Sequence, residues 1–496
     1  MMMLESGGGQ TTSRVASLAS PPPFDIVITA FLALAGWHFG LARISDNSFF
    51  CHLATGRWIL DHGIPRTDPF SFTAAGTPWV AESWMADLIY GALDRWFGPA
   101  ALTTLNAATG AAIAALWYRI ALRLARDRVY AFLITMLSLG ASFTMWSHRP
   151  LLLGILAFLV LVWIVEIPDS ATGRNPLLAI PPLIWIWANV HGSFTLAFVY
   201  LGLHCAGRWL DGAPPWSGRE RRLIEAAVVG FALCFVNPYG VRLLIAPIHL
   251  LSHHVVLSNV AEWRPPAARS LQGAIYTLWV LIFVTAAIRG STRITLRGFV
   301  VSVPFLIMGL WAERNIAIAP IASFPVVASA FVTPHDRADR GLPLNWVAIA
   351  LALALGGLWT IRAWANPALD FHEYPAAAMD AVEAQGLLGR RLLTTDSWGD
   401  YVVLRYGPRQ RIFMDDRYDL YPPAVAADLE SLLIRQGDWP ALVRKYDIDV
   451  VVWPRRDPSV NAIVREFGFK PRYEDEIAVV LARGLVSHAS GDEGQR

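Results

Sequence analysis

The sequence predicts an α-helical polytopic membrane protein with a small α/β domain at its C-terminal end. Two observations lead there. Of the 496 residues, 55% are hydrophobic and only 16% charged, with a mean hydropathy of +0.41, whereas soluble domains are about a quarter charged. Apolar runs of near-bilayer length also follow one another until about Asn366, after which short strand-like runs alternate with helical ones.

In chain order, residues 1–23 hold Gly7-Gly8-Gly9, many Ser and Thr, and Pro21-Pro22-Pro23, a disordered cytoplasmic leader. The run from Phe24 to Ile44 is long and lacks a small-residue cleavage site, so it reads as a retained first span. Further runs begin near Ala100, Tyr130, Leu151, Leu177, Phe194, Leu223, Leu271, Gly298, Ala317 and Trp346. With a span needing roughly 20 apolar residues, this predicts about eleven crossings over 24–365. Arginines set the orientation. Arg123, Arg126 and Arg128; Arg174; Arg219, Arg221 and Arg222; Arg289, Arg293 and Arg297; and Arg337 and Arg340 fall in alternate connections. That bias places the N-terminus in the cytoplasm and the C-terminal domain outside.

The segment 46–98 is then an external loop. Its second half, Trp79 to Phe97, carries Val80, Trp84, Leu88, Leu93 and Phe97 at helical spacing, a helix for the membrane interface. Residues 366–486 read as the extracytoplasmic α/β domain, with strands at 391–395, 411–414, 450–453 and 477–481 and helices at 375–385, 424–435 and 439–446. Residues 487–496 read as a disordered tail.

Several functions are disfavoured at once. A net charge of +2 is too small and diffuse for a nucleic-acid partner. No Walker loop, GxGxxG fingerprint or GxSxG elbow stands in a suitable context. Cys51, Cys205 and Cys234 lack CxxC spacing, which supports neither a disulfide framework nor a structural zinc site.

Polar groups instead collect at the outer ends of the spans, where charge is costly and its recurrence informative. They are Asp46, His148, Arg149, Asn189, His191, Glu262, Trp263, Arg314 and Asn315, and they could line one outward cavity. Each also has a plainer reading. Acidic residues mark helix ends, arginines snorkel to the interface, and Asn237-Pro238-Tyr239-Gly240 is a turn. Arg417 and Asp419 read as an internal ion pair.

Asp46 after the first span, the loop Gly63-Ile64-Pro65-Arg66-Thr67-Asp68-Pro69-Phe70-Ser71-Phe72-Thr73, and Pro78-Trp79-Val80 resemble the bacterial membrane proteins of the glycosyltransferase C (GT-C) superfamily. That group includes relatives of protein O-mannosyltransferases, aminoarabinose transferases and oligosaccharyltransferases. Trp187 to Phe194, Glu262 to Pro266 and Arg314-Asn315 resemble a poorly characterised branch of it, as do Asp396 to Tyr401 and Asp415 to Tyr421. The likeness runs from Asp46 to Arg483, and the order of its short motifs carries it.

The resemblance implies a polyprenyl-phosphate sugar as donor, an external site and inversion at the anomeric carbon. By position Asp46 matches the superfamily's first external-loop acid, a base or an acceptor or metal ligand. Glu82, one residue from where relatives carry a second acid, and Asp68 join it as catalytic candidates. His148, Arg149, Asn189, His191, Glu262, Trp263, Arg314 and Asn315 are candidates for binding substrate. Arg149, Arg314 or a divalent cation (magnesium or manganese) could stabilise the leaving phosphate. The rival expectations are a transporter or flippase for a lipid-linked glycan, and a non-catalytic envelope scaffold.

Overall fold

The computed structural model describes residues 20–167, 175–214, 216–252, 261–290, 295–330, 341–434 and 439–483. Most of the leader, all of the tail, and Arg174, Arg293, Arg337 and Arg340 lie outside them. The chain forms two compact units. One comprises Met1–Arg43, Pro99–Val236 and Ala261–Ala368; the other comprises Ile44–Gly98, Asn237–Val260 and Leu369–Arg496.

Among its described residues the first unit is built of helices and holds no strand. Each apolar run of the sequence that falls in it forms a helix: Phe24–Gly40, Ala100–Ala125, Arg128–Phe143, Leu151–Glu166, Ile180–Val190, Thr195–Leu210, Gly218–Leu233, Leu271–Arg289, Leu296–Trp311, Ala319–Ala330 and Leu344–Trp364. Among the described residues, 3 helices are long and apolar enough to cross a membrane, the ones beginning at Ala100, Leu271 and Pro343.

Helices Phe24–Gly40 and Ala100–Ala125 cross closely because glycine meets glycine. A Cβ on Gly36 would fall 2.3 Å from the Gly110 carbonyl oxygen, the small-residue packing that membrane helices use where apolar burial gives no drive. Trp37 Nε1 donates to Thr360 Oγ1 at 3.0 Å, tying in helix Leu344–Trp364. That helix buries only Asn345 and Ala352, leaving Leu351, Leu353, Leu358 and Ile361 exposed. A helix apolar all round yet exposed to this degree needs lipid around it. The protein is a membrane protein.

The second unit combines helices with a sheet. Its first helix, Asn47–His62, went unread in the sequence because polar residues interrupt its apolar stripe. In the structure that stripe is Phe49, Phe50, Leu53, Ala54 and Ile59, all buried. The helix expected over 79–97 begins instead at Trp84. Before it a turn closes with Trp84 N bonded to Ala81 O at 3.0 Å, and Trp79 N is bonded to Arg66 O at 2.9 Å. Gly56 and Gly91 let the two helices touch, since a Cβ on Gly56 would fall 1.9 Å from the Asp87 carbonyl oxygen. His52 Nδ1 lies 2.7 Å from Asp87 Oδ1, and Arg57 Nε 2.7 Å from Asp94 Oδ2, across the same contact.

The sheet has strands β1 (Leu392–Leu393), β2 (Val450–Pro454), β3 (Lys470–Glu474) and β4 (Ala478–Ala482) in the order β1-β2-β4-β3. β1 runs parallel to β2, and the other pairs are antiparallel. β2 and β4 are buried, as their unbroken apolar runs require. β3 escaped the sequence reading because it is a polar, exposed edge carrying Lys470, Pro471 and Arg472, features that discourage edge-to-edge pairing. The expected strand at 411–414 shrinks to Ile412, which bridges Ser71 and Leu392 and so joins the 63–83 segment to the sheet. The expected strand at 391–395 ends early because Thr395 caps helix Asp396–Tyr406. Helices Asp396–Tyr406 and Ser459–Phe467 also went unread.

Candidate active site

Asp46 is the N-cap residue of helix Asn47–His62, with extended backbone, and its side chain does not cap the helix. The residues on both sides of it are held by the C-terminal segment. Asp370 N donates to Ile44 O at 2.8 Å, and Tyr374 Oη to Ser45 O at 2.6 Å. Asn47 Nδ2 donates to Asp400 Oδ2 at 2.7 Å and reaches Asp416 Oδ2 at 3.4 Å, while the Ser48 hydroxyl donates to Asp416. The start of the helix, with its unsatisfied N–H groups and positive end, thus faces carboxylates.

These carboxylates belong to a larger buried set. Asp400 and Asp415 are both 0% exposed. Arg417 grips Asp415 in a fork, Nε at 2.9 Å from Oδ1 and Nη2 at 2.6 Å from Oδ2. Its Nη1 lies 2.9 Å from Asp68 Oδ1, an ion pair set off the direction of a hydrogen bond. The guanidinium also sits 4.5 Å from the centre of the Trp79 ring, a cation–π contact. The pair expected between Arg417 and Asp419 is therefore not the one formed: Asp415 and Asp68 take the guanidinium. Asp68 is fixed by the backbone N–H groups of Phe70 at 3.1 Å and Ser71 at 2.9 Å. Its charge is answered locally by these donors and Arg417.

Electrostatics divides the set. Burial, then the charges of Asp416 and Asp415, push the Asp400 carboxyl well above the usual range, against the pull of the Asn47 bond. Burial disfavours charge on Arg417, yet Asp415 and Asp68 outweigh it and hold its pKa well up. Burial pushes the Cys51 thiol up as well. Cys51, Asp400 and Asp415 form a triad whose ligand atoms could hold a metal ion. A mostly apolar cavity of about 240 Å³ opens next to Trp79, lined also by Pro78, Arg242, Ile245, Asp419 and Leu420.

Of the catalytic candidates, Asp46 and Asp68 stand in this unit with the acidic set. Glu82 is half-buried in the turn before helix Trp84–Phe97. The substrate-binding candidates fall in the other unit, and four of them meet there. Arg149 Nη1 donates to Glu262 Oε1 at 3.2 Å, and the Arg314 guanidinium lies 4.3 Å from the centre of the adjacent Trp263 ring. Glu313 N bonded to Arg264 O at 2.9 Å brings the two segments together. His148 and Arg149 lie just before helix Leu151–Glu166. The others have local partners. Asn189 Nδ2 donates to Trp185 O at 2.8 Å and Asn315 Nδ2 to Met308 O at 3.0 Å. His191 Nδ1 pairs with Ser193 Oγ at 2.7 Å. Sequence reasoning missed Asn47, Ser48, Tyr374, Asp400 and Asp416 as site residues. The only signal was the acidic character of the motifs Asp396 to Tyr401 and Asp415 to Tyr421.

No family model and no curated protein matches the chain. Solved structures do match its fold. The oligosaccharyltransferase of Archaeoglobus fulgidus, in its apo form, is 11% identical with a TM-score of 0.53, over 87% of this chain and 69% of that one. ArnT from Cupriavidus metallidurans, in its apo state, is 12% identical with a TM-score of 0.53, over 92% and 97% of the two chains. The same protein bound to undecaprenyl phosphate is 14% identical with a TM-score of 0.53, over 93% and 98%. The resemblance read from short motifs thus holds at the level of the fold: the chain shares the fold of these two proteins.

Proposed function

We propose that this chain is a GT-C-type glycosyltransferase of the bacterial inner membrane, moving a sugar from a polyprenyl-phosphate donor to an acceptor at the outer face. The observation that carries this reading is the end-to-end likeness to ArnT, 93% of this chain against 98% of that one. Asp46, at the outlet of the first apolar helix, supports it. In this reading about eleven helices cross the membrane, the N-terminus is cytoplasmic and the α/β domain is extracytoplasmic.

Asp46 is the base. A sugar or lipid hydroxyl is a poor nucleophile at neutral pH, and a carboxylate within hydrogen-bond reach accepts its proton as the new bond forms. The acceptor oxygen attacks the anomeric carbon, the bond from that carbon to the phosphate oxygen breaks, and the lipid phosphate leaves as an anion. Arg149 and Arg314 are the cations proposed to meet that charge. Trp263 and Glu262 hold them in place, and the polar side chains of His148, Asn189, His191 and Asn315 contact substrate. A divalent cation, magnesium or manganese, could add to the stabilisation of the phosphate. Asp68 and Glu82 stand as further acids of the reaction.

The test uses full-length protein in lipid nanodiscs, given undecaprenyl-phosphate sugars, with released lipid phosphate and sugar transfer followed by mass spectrometry. Wild type transfers and Asp46→Asn loses transfer by a factor of about 100 or more while remaining folded. Transfer by Asp46→Asn at the wild-type rate removes Asp46 as the base. Donor movement across the bilayer without bond cleavage replaces the transferase with a flippase.

A further inference from the structure

In the second unit one thiol stands among carboxylates. Cys51 lies on helix Asn47–His62, one turn after Asn47, and is buried and free of any disulfide. Its Sγ, one oxygen of Asp400 and one oxygen of Asp415 all lie within 4.8 Å of one another, and all three residues are buried. Asp416 adjoins them, sharing the Asn47 amide with Asp400.

Carboxylates crowd this point. Asp68, Asp400, Asp415 and Asp416 bring carboxylates, and the guanidinium beside them is Arg417, which takes Asp415 and Asp68. Asp400 receives the neutral Asn47 amide on Oδ2, and its other side-chain neighbour is a second acid, Asp416. Asp400 Oδ1 is buried with no hydrogen-bond partner among the described residues. A buried carboxylate set between a neutral amide and a second acid is strongly disfavoured unless a cation or a proton answers it.

The donor set decides which cation fits. Magnesium and calcium take oxygen ligands, whereas zinc and its neighbours accept thiolate sulfur together with carboxylate oxygen in a tetrahedral shell. Zinc–sulfur and zinc–oxygen bonds of about 2.3 and 2.1 Å place ligand atoms roughly 3.5 Å apart, so the three atoms need to close in by only about 1 Å. Arg417 does not block this. Asp415 Oδ1 accepts from the Arg417 backbone N–H at 3.2 Å and from Nε at 2.9 Å, so Oδ2, whose closest donor is Nη2 at 2.6 Å, is the oxygen with a lone pair to offer a cation. A fork that fixes a ligating carboxylate from behind is what oriented metal sites use.

We propose that Cys51, Asp400 and Asp415 hold one divalent cation of the zinc type, fastening the helix that follows Asp46 to the C-terminal segment. The site is structural, and it stands or falls independently of the transferase reading, because it is read out by metal binding. Sequence spacing hid it, since Cys51 and Asp400 are far apart in the chain.

The experiment takes the full-length protein in detergent, strips it with a chelator and titrates it with cobalt(II) and then zinc(II). One equivalent of cobalt binds, with a thiolate-to-cobalt charge-transfer band in the near ultraviolet, and zinc displaces it. Cys51→Ser abolishes the band, and both Cys51→Ser and Asp400→Asn weaken binding by at least about tenfold. The double variant Cys205→Ser, Cys234→Ser keeps the band. The proposal is overturned by the absence of saturable binding, by binding that Cys51→Ser leaves unchanged, or by magnesium or calcium outcompeting zinc at the site. Should Asp400→Asn fail to fold, Cys51→Ser, nearly isosteric, carries the test alone.

Discussion

Asn47 donates to Asp400 across 2.7 Å although 353 positions separate them in the chain. The bond joins the first turn of the helix after Asp46 to a carboxylate buried in the C-terminal segment. Replacing Asn47 by Ala leaves Asp400 without that donor, an uncompensated buried acceptor whose cost is about 1–3 kcal/mol. The expected outcome is a lower melting temperature by intrinsic fluorescence in detergent. Asn47→Asp, which sets a third acid against Asp400 and Asp416, lowers it further.

Arg417 is the buried cation for Asp415 and Asp68. Arg417→Met strands both carboxylates, and removing one partner of a buried pair costs about 3–5 kcal/mol. Size-exclusion of a fluorescent fusion should show little monodisperse protein. Adding Asp415→Asn and Asp68→Asn to that variant recovers part of the folded peak. Arg417→Lys does not replace the fork, because an ammonium cannot span two oxygens in plane.

Burial raises the Asp87 carboxyl above the ordinary value of 3.8, and His52 at 2.7 Å pulls the other way. A carboxyl whose pKa is higher folded than unfolded stabilises the fold below its unfolded pKa. That contribution is lost as pH rises through the folded value. The melting temperature of wild type relative to Asp87→Asn is therefore expected to fall as pH climbs from about 4. A difference that stays flat or rises over that window contradicts the assignment.

Gly56 carries the contact between helices Asn47–His62 and Trp84–Phe97, where an added Cβ would meet the Asp87 carbonyl at 1.9 Å. Backbone cannot yield as a side chain tip can, so Gly56→Ala costs about 1–3 kcal/mol. Gly140, with nothing within 4 Å of its Cβ position, is the control: Gly140→Ala leaves the melting temperature within about 2 °C.

Much of the fold was legible because lipid imposes one simple demand: every apolar run from Phe24 onward that the sequence marked forms a helix. Helix Asn47–His62 escaped because its apolar face packs against protein, so its composition is mixed rather than uniformly greasy. β3 escaped because an exposed edge strand carries charge and proline. Asp46 drew notice from its position after the first apolar run, and recurring outer-end polarity pointed to Arg149 and Glu262, which meet, and to Trp263 and Arg314, which also meet. Asp400 and Asp416 stayed hidden as site residues, since only folding brings them to Asn47 and Ser48. No local periodicity encodes that encounter.

The contacts around Asp46 also fix an order of events during synthesis. Ile44, Ser45, Asn47 and Ser48 find their partners at Asp370, Tyr374, Asp400 and Asp416. At about 5–20 residues per second, translation leaves this segment waiting for some tens of seconds after it emerges. The apolar helices can insert in that interval, but residues 44–48 are set only when residues 370–416 arrive. A chain halted before residue 370 therefore leaves residues 44–48 without these partners, so the helix that follows Asp46 is fastened late.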